Sequence, residues 1–169
     1  MIDAIVYNSN TGFTKQFAYA FAVKTKLPIY SIKELKNIKK GSNIIYFSWI
    51  LGLNICKLDK LSNYNIVMAC AVGMSPYSIE LIEQIKENNK LTEVFYLQGG
   101  LRMYKLNLMH RMMIKMVKST YNKKFKKNEI NNDEKEILHI INNGKEDIDL
   151  DSLEPLVKWF NESNHNLVC

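Results

Sequence analysis

The chain has 169 residues, of which 47% are apolar and 24% are charged, and its formal net charge is +6. This length and composition predict one globular domain spanning residues 1–169. No stretch approaches the roughly 18 apolar residues of a membrane-spanning helix, and the first apolar run is too short for a signal peptide. Three widely spaced cysteines, Cys56, Cys70 and Cys169, match neither a disulfide framework nor a metal site, so we expect a reducing cytoplasm.

The positive charge is concentrated in one segment. Residues 102–127 contain nine Lys or Arg and no Asp or Glu, whereas the rest of the chain has 14 basic and 17 acidic residues. Charge concentrated in this way bears on which partners the protein binds rather than on its fold.

Five short apolar runs, rich in β-branched and aromatic residues and bounded by turn residues, predict β-strands. In chain order they are Ile2–Tyr7, residues 28–31, Asn43–Trp49, Ile66–Val72 and Val94–Leu97.

Helical spacing of apolar residues predicts helices between and after these strands. In chain order they are Phe13–Lys26, a short helix over residues 32–38, a helix with Pro76 in its first turn, Leu106 to about Tyr121, Asp133–Asn143 and Leu153–Asn161. We expect Gly144 to end the fifth of these helices. Asp151 or Ser152 is expected to cap the last, with Pro155 in its first turn. The polar residues 122–132 are predicted to form a loop.

Strands that alternate with helices predict an α/β fold with a parallel, doubly wound, five-stranded sheet in the order 2-1-3-4-5. Ligands of such sheets bind outside the carboxyl ends of the strands, where the strand order reverses. The loops Ser9–Thr14, Ser48–Leu53 and Gln98–Tyr104 all follow strands and are expected at this edge.

The first of these loops has the character of a phosphate site. The first backbone N–H groups of a helix lack partners and attract anions, and Gly12 lets the backbone approach closely. Hydroxyl and amide side chains surround that point, with no Lys or Arg in the loop: Ser9, Asn10, Thr11 and Thr14. Phe13 lies between them and completes the set of predicted phosphate-loop residues. This pattern favours a phosphate monoester over a triphosphate loop, which needs a lysine. The alternative is an ordinary cluster of helix-capping residues.

Ser9-x-Thr11-Gly12-x-Thr14 after a first strand resembles the flavodoxin signature. The resemblance implies a flavodoxin-like fold in which this loop wraps the phosphate of flavin mononucleotide (FMN). It further implies that the loops after the third and fifth strands cover the isoalloxazine ring. The candidate ring contacts are then Ser48, Trp49, Ile50, Leu51 and Gly52 in the first loop, and Gln98, Gly99, Gly100 and Tyr104 in the second.

The residues themselves leave alternatives open at these two loops. Trp49 is either a stacking ring or the last core residue of its strand. Gly99 and Gly100 either bring backbone amides to the ring or form a plain turn.

The helix predicted after the fifth strand is amphipathic. Met109, Met112, Met113, Met116 and Val117 fall on one side, and Arg111, Lys115 and Lys118 fall on the other. One interpretation packs the methionine face against the sheet and leaves the basic face solvated. The other has the helix contact an anionic membrane surface or an acidic redox partner. Nucleic acid is disfavoured because no recognisable binding module accompanies the basic patch.

The second half of the chain is similar to the menaquinone-dependent protoporphyrinogen oxidases. The likeness lies in three segments: Gly99-Gly100-Leu101-Arg102, Arg111-Met112-Met113-Ile114-Lys115 and the closing helix Leu156-Val157-Lys158-Trp159-Phe160. Residues 102–132 then form a basic helical insert. The resemblance implies a membrane-peripheral FMN protein that passes electrons to quinone. Two features depart from that family: the insert is rich in methionine rather than aromatic residues, and the loop at Trp49–Gly52 lacks the Arg-Tyr character of the oxidase.

No side chain presents itself as a catalytic group. His110, His139 and His165 lie far apart and predict lone surface histidines, without metal-ligand spacing. We therefore expect bound FMN to perform any chemistry. Three functions remain open: a flavodoxin-type electron carrier, an FMN oxidoreductase of the protoporphyrinogen oxidase type on a membrane, and a flavodoxin-fold binding module without redox activity.

Overall fold

The computed structural model describes residues 1–165, so Cys169 lies outside the described residues, as does the side chain of His165. The strands are β1 Ala4–Asn8, β2 Ile29–Ser31, β3 Asn43–Leu51, β4 Asn54–Ile55, β5 Asn65–Gly73 and β6 Val94–Gln98. The helices are α1 Phe13–Thr25, α2 Ile79–Asn89, α3 Leu108–Lys126, α4 Asn132–Asn143 and α5 Glu154–His165. Short 3₁₀ helices lie at Ile32–Asn37, Leu58–Leu61, Met103–Lys105 and Asp151–Leu153.

The strands form a sheet in the order β2-β1-β3-β5-β6, with all neighbours in this path parallel. With the two-residue β4 set aside, this is the predicted order 2-1-3-4-5, and the flavodoxin-like α/β fold is confirmed. β4 was not predicted. It pairs antiparallel with the end of β3, Ile50 opposite Ile55, so β3 continues past Trp49 into a hairpin.

Helices cover both faces of the sheet. On one face, α1 and α5 bury Phe17, Phe21, Leu156 and Phe160 against β-strand residues such as Ile45. On the other face, α2 buries Ile85 in a separate apolar cluster with Tyr46 and Leu61. Strands buried on both faces explain why β3 and β5 read as continuous apolar runs rather than alternating ones.

A third, smaller core joins the insert to α4. Ile137, Ile140 and Ile141 of α4 pack with Leu101 and Leu106, and half-buried side chains of α3 lie against them. Leu101 also forms an isolated antiparallel bridge with Lys145, which ties the segment after β6 to the segment after α4.

Three of the differences between predicted and observed boundaries have a clear physical reason. Pro76 lies outside α2, because the hydroxyl of Ser78 accepts a hydrogen bond from the Leu81 N–H and begins the helix there. Residues 122–126, predicted as loop, continue α3: lysines are good helix formers, and their charge favours a helix C-terminus.

The cap expected before α5 also differs. The capping side chain is that of Asp149, not that of Asp151 or Ser152. The Asp149 carboxylate accepts a hydrogen bond from the backbone N–H of Asp151. Ser152 instead donates to the Asp149 carbonyl. Pro155 does lie in the first turn of α5, and Gly144 follows α4 with a φ of 76°, both as predicted.

Candidate functional site

The carboxyl ends of β1 and β3 lie side by side, with Asn8 opposite Ser48. From this point β1 connects through α1 to β2 on one side, whereas β3 is followed on the other side by β5 and β6. The chain reverses direction here, so a crevice is expected outside these strand ends. The loop Ser9–Thr14 leaves β1 at this place.

That loop ends on a helix N-terminus without a side-chain cap. Gly12 takes the N-cap position of α1 with a φ of 105°, and because it has no side chain it cannot cap the N–H groups of the first helical turn. The Gly12 N–H donates to the Ser9 hydroxyl oxygen at 3.2 Å. The N–H groups that begin α1 are therefore available to an anion, and the helix dipole favours one.

Arg102 brings a positive charge to this loop. Its Nη1 donates to the Thr11 carbonyl at 3.2 Å, and its guanidinium lies over the Phe13 ring, 4.2 Å from the ring centroid. The sequence contains no basic residue in the loop, and Arg102 is distant along the chain. The sequence named Arg102 only within the Gly99-Gly100-Leu101-Arg102 motif and as part of the basic segment, without a role at the loop; its place four residues after the end of β6 puts it at the same edge of the sheet.

Phe13 and Thr14, both predicted phosphate contacts, are buried side chains. Their backbone N–H groups belong to the first turn of α1, so the backbone rather than the side chain of Phe13 is the group suited to an anion. Asn10 is exposed, and Ser9 and Thr11 are half-buried.

The Ser48 side chain is not accessible to a ligand, contrary to the expected ring contact. It is fully buried, and its hydroxyl donates to the Cys56 carbonyl at 2.9 Å. The same carbonyl accepts from the Tyr46 hydroxyl at 2.7 Å and from Asn8 Nδ2 at 3.4 Å. These bonds join the β3–β4 hairpin to the ends of β1 and β3. Ser48 therefore has a structural role and holds the hairpin in place.

Burial raises the pKa values of two side chains in this region, Cys56 and Tyr46. It raises the pKa of the Cys56 thiol to about 11, and the charge of the nearby Lys57 lowers this pKa by less than burial raises it. Burial also raises the pKa of the Tyr46 hydroxyl well above its ordinary value. Both groups are neutral at physiological pH and act as structural hydrogen-bonding or packing groups.

The segment Trp49–Gly52 forms the hairpin rather than an open loop. Ile50 and Leu51 pair with β4, and Gly52 makes the turn with a φ of 60°. Trp49 is half-buried, and its indole packs edge-on against the imidazole of His110, with ring centroids 5.1 Å apart. Trp49 thus lies against the first turn of α3, and the strand continues beyond it.

His110 is not the lone surface residue that its sequence context predicted. Its Nδ1 lies 3.2 Å from Nδ2 of Asn10, within hydrogen-bonding distance. The first turn of α3 therefore contacts both the Ser9–Thr14 loop and the β3–β4 hairpin. Spacing along the chain gave no sign of this contact.

The glycines after β6 serve close packing. The Gly99 N–H donates to the Gly73 carbonyl at 2.7 Å, so this amide already has a partner. A Cβ at Gly100 would lie 2.0 Å from the Lys145 carbonyl oxygen and 2.7 Å from Cζ of Phe13. The expectation that both glycines turn their amides to a flavin ring is therefore replaced, for Gly99, by a hydrogen bond to β5.

The other two predicted residues of this segment lie apart from each other. Gln98 Nε2 donates to Glu136 Oε1 at 2.7 Å and to the Met74 carbonyl at 3.3 Å, so it links β6 to α4. Tyr104 is 64% exposed and accepts at its carbonyl from Arg111 Nη2. The ring of Tyr104 is therefore largely exposed and accessible to a ligand.

The methionine face of α3 does not pack against the sheet. Ile114, Val117 and Tyr121 make the contact with α4, and no residue of Leu108–Lys126 is fully buried. The exposed apolar side chains form a row on the opposite side: Leu108, Met109, Met112 and Met116, from 58% to 77% exposed. Arg111 and Lys115 are exposed beside this row, and Lys118 is half-buried.

Within residues 1–165, no three His, Cys, Asp or Glu side chains converge as metal ligands would. None of the helices in the same range combines the length and apolar character that crossing a bilayer demands.

No protein-family model matches the chain, and neither does any curated protein. Among solved structures, the chain is similar to a "putative flavoprotein" from Bacteroides uniformis ATCC 8492, with a TM-score of 0.41 and 14% identity over 68% of this chain and 97% of that one. It is also similar to a flavodoxin from the domain Archaea, with a TM-score of 0.35 and 21% identity over 59% of this chain and 84% of that one. The strand order and the loop geometry above stand independently of these two likenesses.

Proposed function

We propose that this protein binds FMN at the carboxyl edge of its sheet and transfers electrons between partners as a flavodoxin-type redox protein. The observation that carries the proposal is the loop Ser9–Thr14, which ends on the uncapped N-terminus of α1 beside the guanidinium of Arg102. Free N–H groups, a helix dipole and a cation meet there, and this combination suits a phosphate.

The residues around the crevice fit the remainder of FMN in kind. Trp49 from the β3–β4 hairpin and Tyr104 after β6 supply partly exposed aromatic rings for a flat apolar ligand. Bound FMN would supply the redox chemistry by accepting and donating one or two electrons. The protein would bind the phosphate, orient the ring and limit its contact with water.

Electron transfer is tested on protein loaded with FMN under anaerobic conditions. The flavin is reduced with dithionite, re-oxidised with a soluble quinone, and the protein is passed over a gel-filtration column after each cycle. We expect the flavin to co-elute with the chain in both redox states over repeated cycles. Flavin that separates from the chain, or that never binds, contradicts the proposal and favours a binding module without redox activity.

A second candidate is a membrane-peripheral FMN oxidoreductase of the protoporphyrinogen oxidase type, which passes electrons to quinone. The exposed apolar row of α3, flanked by Arg111 and Lys115, supports it. An amphipathic helix with these two kinds of surface suits a bilayer with anionic headgroups.

Vesicle sedimentation separates this candidate from a carrier free in solution. We expect binding to vesicles that contain phosphatidylglycerol and not to pure phosphatidylcholine. The triple variant Arg111→Gln, Lys115→Gln, Lys118→Gln should bind at least about tenfold more weakly, at about 1 kcal/mol per basic residue near the surface. The matched control removes three lysines elsewhere: Lys33→Gln, Lys36→Gln, Lys39→Gln. Equal loss in both variants, or no vesicle binding, contradicts the membrane proposal, and porphyrinogen oxidation with a quinone acceptor tests the substrate.

A further inference from the structure

We propose that Arg102 is a positioning residue that makes the site select a phosphorylated flavin over one without phosphate. The inference rests on the proposed function, because it concerns how the same loop recognises FMN. It adds a residue from outside the loop and a specificity that the loop sequence does not contain.

Arg102 and Ser9 together hold the peptide unit between Thr11 and Gly12. The carbonyl of this peptide accepts from Arg102 Nη1, and its N–H donates to the Ser9 hydroxyl, both at 3.2 Å. The C=O and N–H of a trans peptide point in opposite directions, so the two bonds hold both ends of one rigid plane. The loop is therefore held in one orientation before a ligand arrives.

The close approach of Arg102 depends on the residue at position 12. A Cβ at Gly12 would lie 3.2 Å from Arg102 Nη1, and the backbone there has a φ of 105°. Glycine thus serves both the positive φ at the start of α1 and the contact with the guanidinium. These two demands fall on the same position, which links the loop to Arg102.

The charge of Arg102 is only partly balanced. Its side chain is 11% exposed, and its Nε is buried without a hydrogen-bond partner among the described residues. The nearest acid is Glu146, whose Oε2 lies 3.9 Å from Nε and whose side chain is 63% exposed. A guanidinium remains charged in proteins, and a buried charge is costly unless it is paired. A phosphate at the adjacent helix N-terminus would complete its pairing.

The test compares the affinities for FMN and riboflavin, which differ by the phosphate alone, by quenching of flavin fluorescence. Removing the charge in Arg102→Gln should weaken FMN binding by about 10- to 100-fold, the usual effect of a hydrogen-bonded charge, and change riboflavin binding by less than about threefold. Arg102→Lys keeps the charge without the forked geometry, so we expect an intermediate loss. Lys158→Gln is the matched control, since it removes one positive charge from an exposed side chain of α5 that pairs with Glu162 and not with the loop.

Glu146→Gln gives a second readout that does not depend on a buried substitution. Glu146 is an exposed residue, so the variant should fold normally. Removing the negative charge of Glu146 makes the electrostatic potential at the loop more positive, because less of the charge of Arg102 is neutralised. We expect the affinity for FMN to rise about two- to fivefold, as for a partly exposed pair, with no change for riboflavin.

The outcomes are distinguishable. Equal losses of both flavins in a folded Arg102→Gln variant would assign Arg102 a purely structural role and overturn the inference, as would an unchanged preference for FMN. If that variant does not fold, an unchanged ratio of the two affinities in Glu146→Gln overturns the inference. A wild type that binds both flavins equally overturns this assignment alone. A wild type that binds neither flavin overturns the proposed function and the assignment with it.

Discussion

The imidazole of His110 packs edge-on against the indole of Trp49, at an interplanar angle of 80° and a centroid separation of 5.1 Å. The same imidazole lies 3.2 Å from the side-chain amide of Asn10. Two of the three segments that border the candidate site are thereby joined through a residue of the basic insert. The insert is part of the wall of the site and is not only an appendage for a partner.

Replacing His110 should expose Trp49. In a background of Trp159→Phe, which leaves Trp49 as the sole tryptophan, His110→Ala should shift the emission maximum to longer wavelength because the indole loses an aromatic neighbour and gains water. His139→Ala removes an exposed imidazole from α4 and is the control. Identical emission spectra for the His110 variant and its parent would show that the two rings do not pack together in solution.

Gly100 should be the least replaceable glycine for stability. Its Cβ in Gly100→Ala would meet backbone, the Lys145 carbonyl at 2.0 Å, which cannot move without shifting the Leu101–Lys145 bridge. We expect the free energy of unfolding in urea to fall by at least about 2 kcal/mol. Gly41→Ala is the comparison, since that position has open space and only a positive φ, so it should lose about 1 kcal/mol. Equal losses in the two variants would contradict the close approach at Gly100.

The methionines of α3 should contribute little to folding. The double variant Met112→Ser, Met116→Ser changes exposed side chains, so the free energy of unfolding should stay within about 0.5 kcal/mol of the wild type. Ile114→Ala removes a half-buried contact with α4 and should cost about 1–2 kcal/mol. A large loss in the methionine variant would instead restore the interpretation in which this face packs on the sheet.

Cys56 should react slowly with alkylating reagents at pH 8. Burial raises the pKa of its thiol to about 11 from an ordinary 9.0, so the thiolate, which is the reactive form, is a much smaller fraction. In a Cys169→Ser background, iodoacetamide labelling at Cys56, located by peptide mass, should be well over tenfold slower than that of a free thiol. The rate should keep rising between pH 9 and 11. A rate that levels off near pH 9 would contradict the burial of this group.

The fold could be predicted because its signals are local. The runs that form β1, β3 and β5 are apolar throughout, and each is followed by a helix or loop of clear character. The loop Ser9–Thr14 could be placed for the same reason: a strand, a short polar loop with Gly12 and a helix stand next to each other in the chain.

The parts that sequence reasoning missed depend on contacts between distant segments. Methionine and isoleucine are both apolar, so spacing alone could not tell that Ile114, rather than Met112 and Met116, faces a partner helix. Arg102 reaches Thr11, and His110 reaches Trp49, only after the sheet has brought four chain segments to one edge. The β3–β4 hairpin is held by the Cys56 carbonyl, which accepts hydrogen bonds from Tyr46, Ser48 and Asn8. No sequence motif predicts that these three side chains meet at one carbonyl.

Calorimetric titration of the purified wild-type protein with FMN tests whether the Ser9–Thr14 loop and Arg102 bind a flavin phosphate. FMN has about 30 non-hydrogen atoms, and about 0.3 kcal/mol for each gives a binding free energy of about −9 kcal/mol. We expect one FMN per chain with a sub-micromolar dissociation constant, and weaker binding of riboflavin. Absence of FMN binding, or a stoichiometry far from one, would contradict the claim that the Ser9–Thr14 loop and Arg102 form a flavin phosphate site.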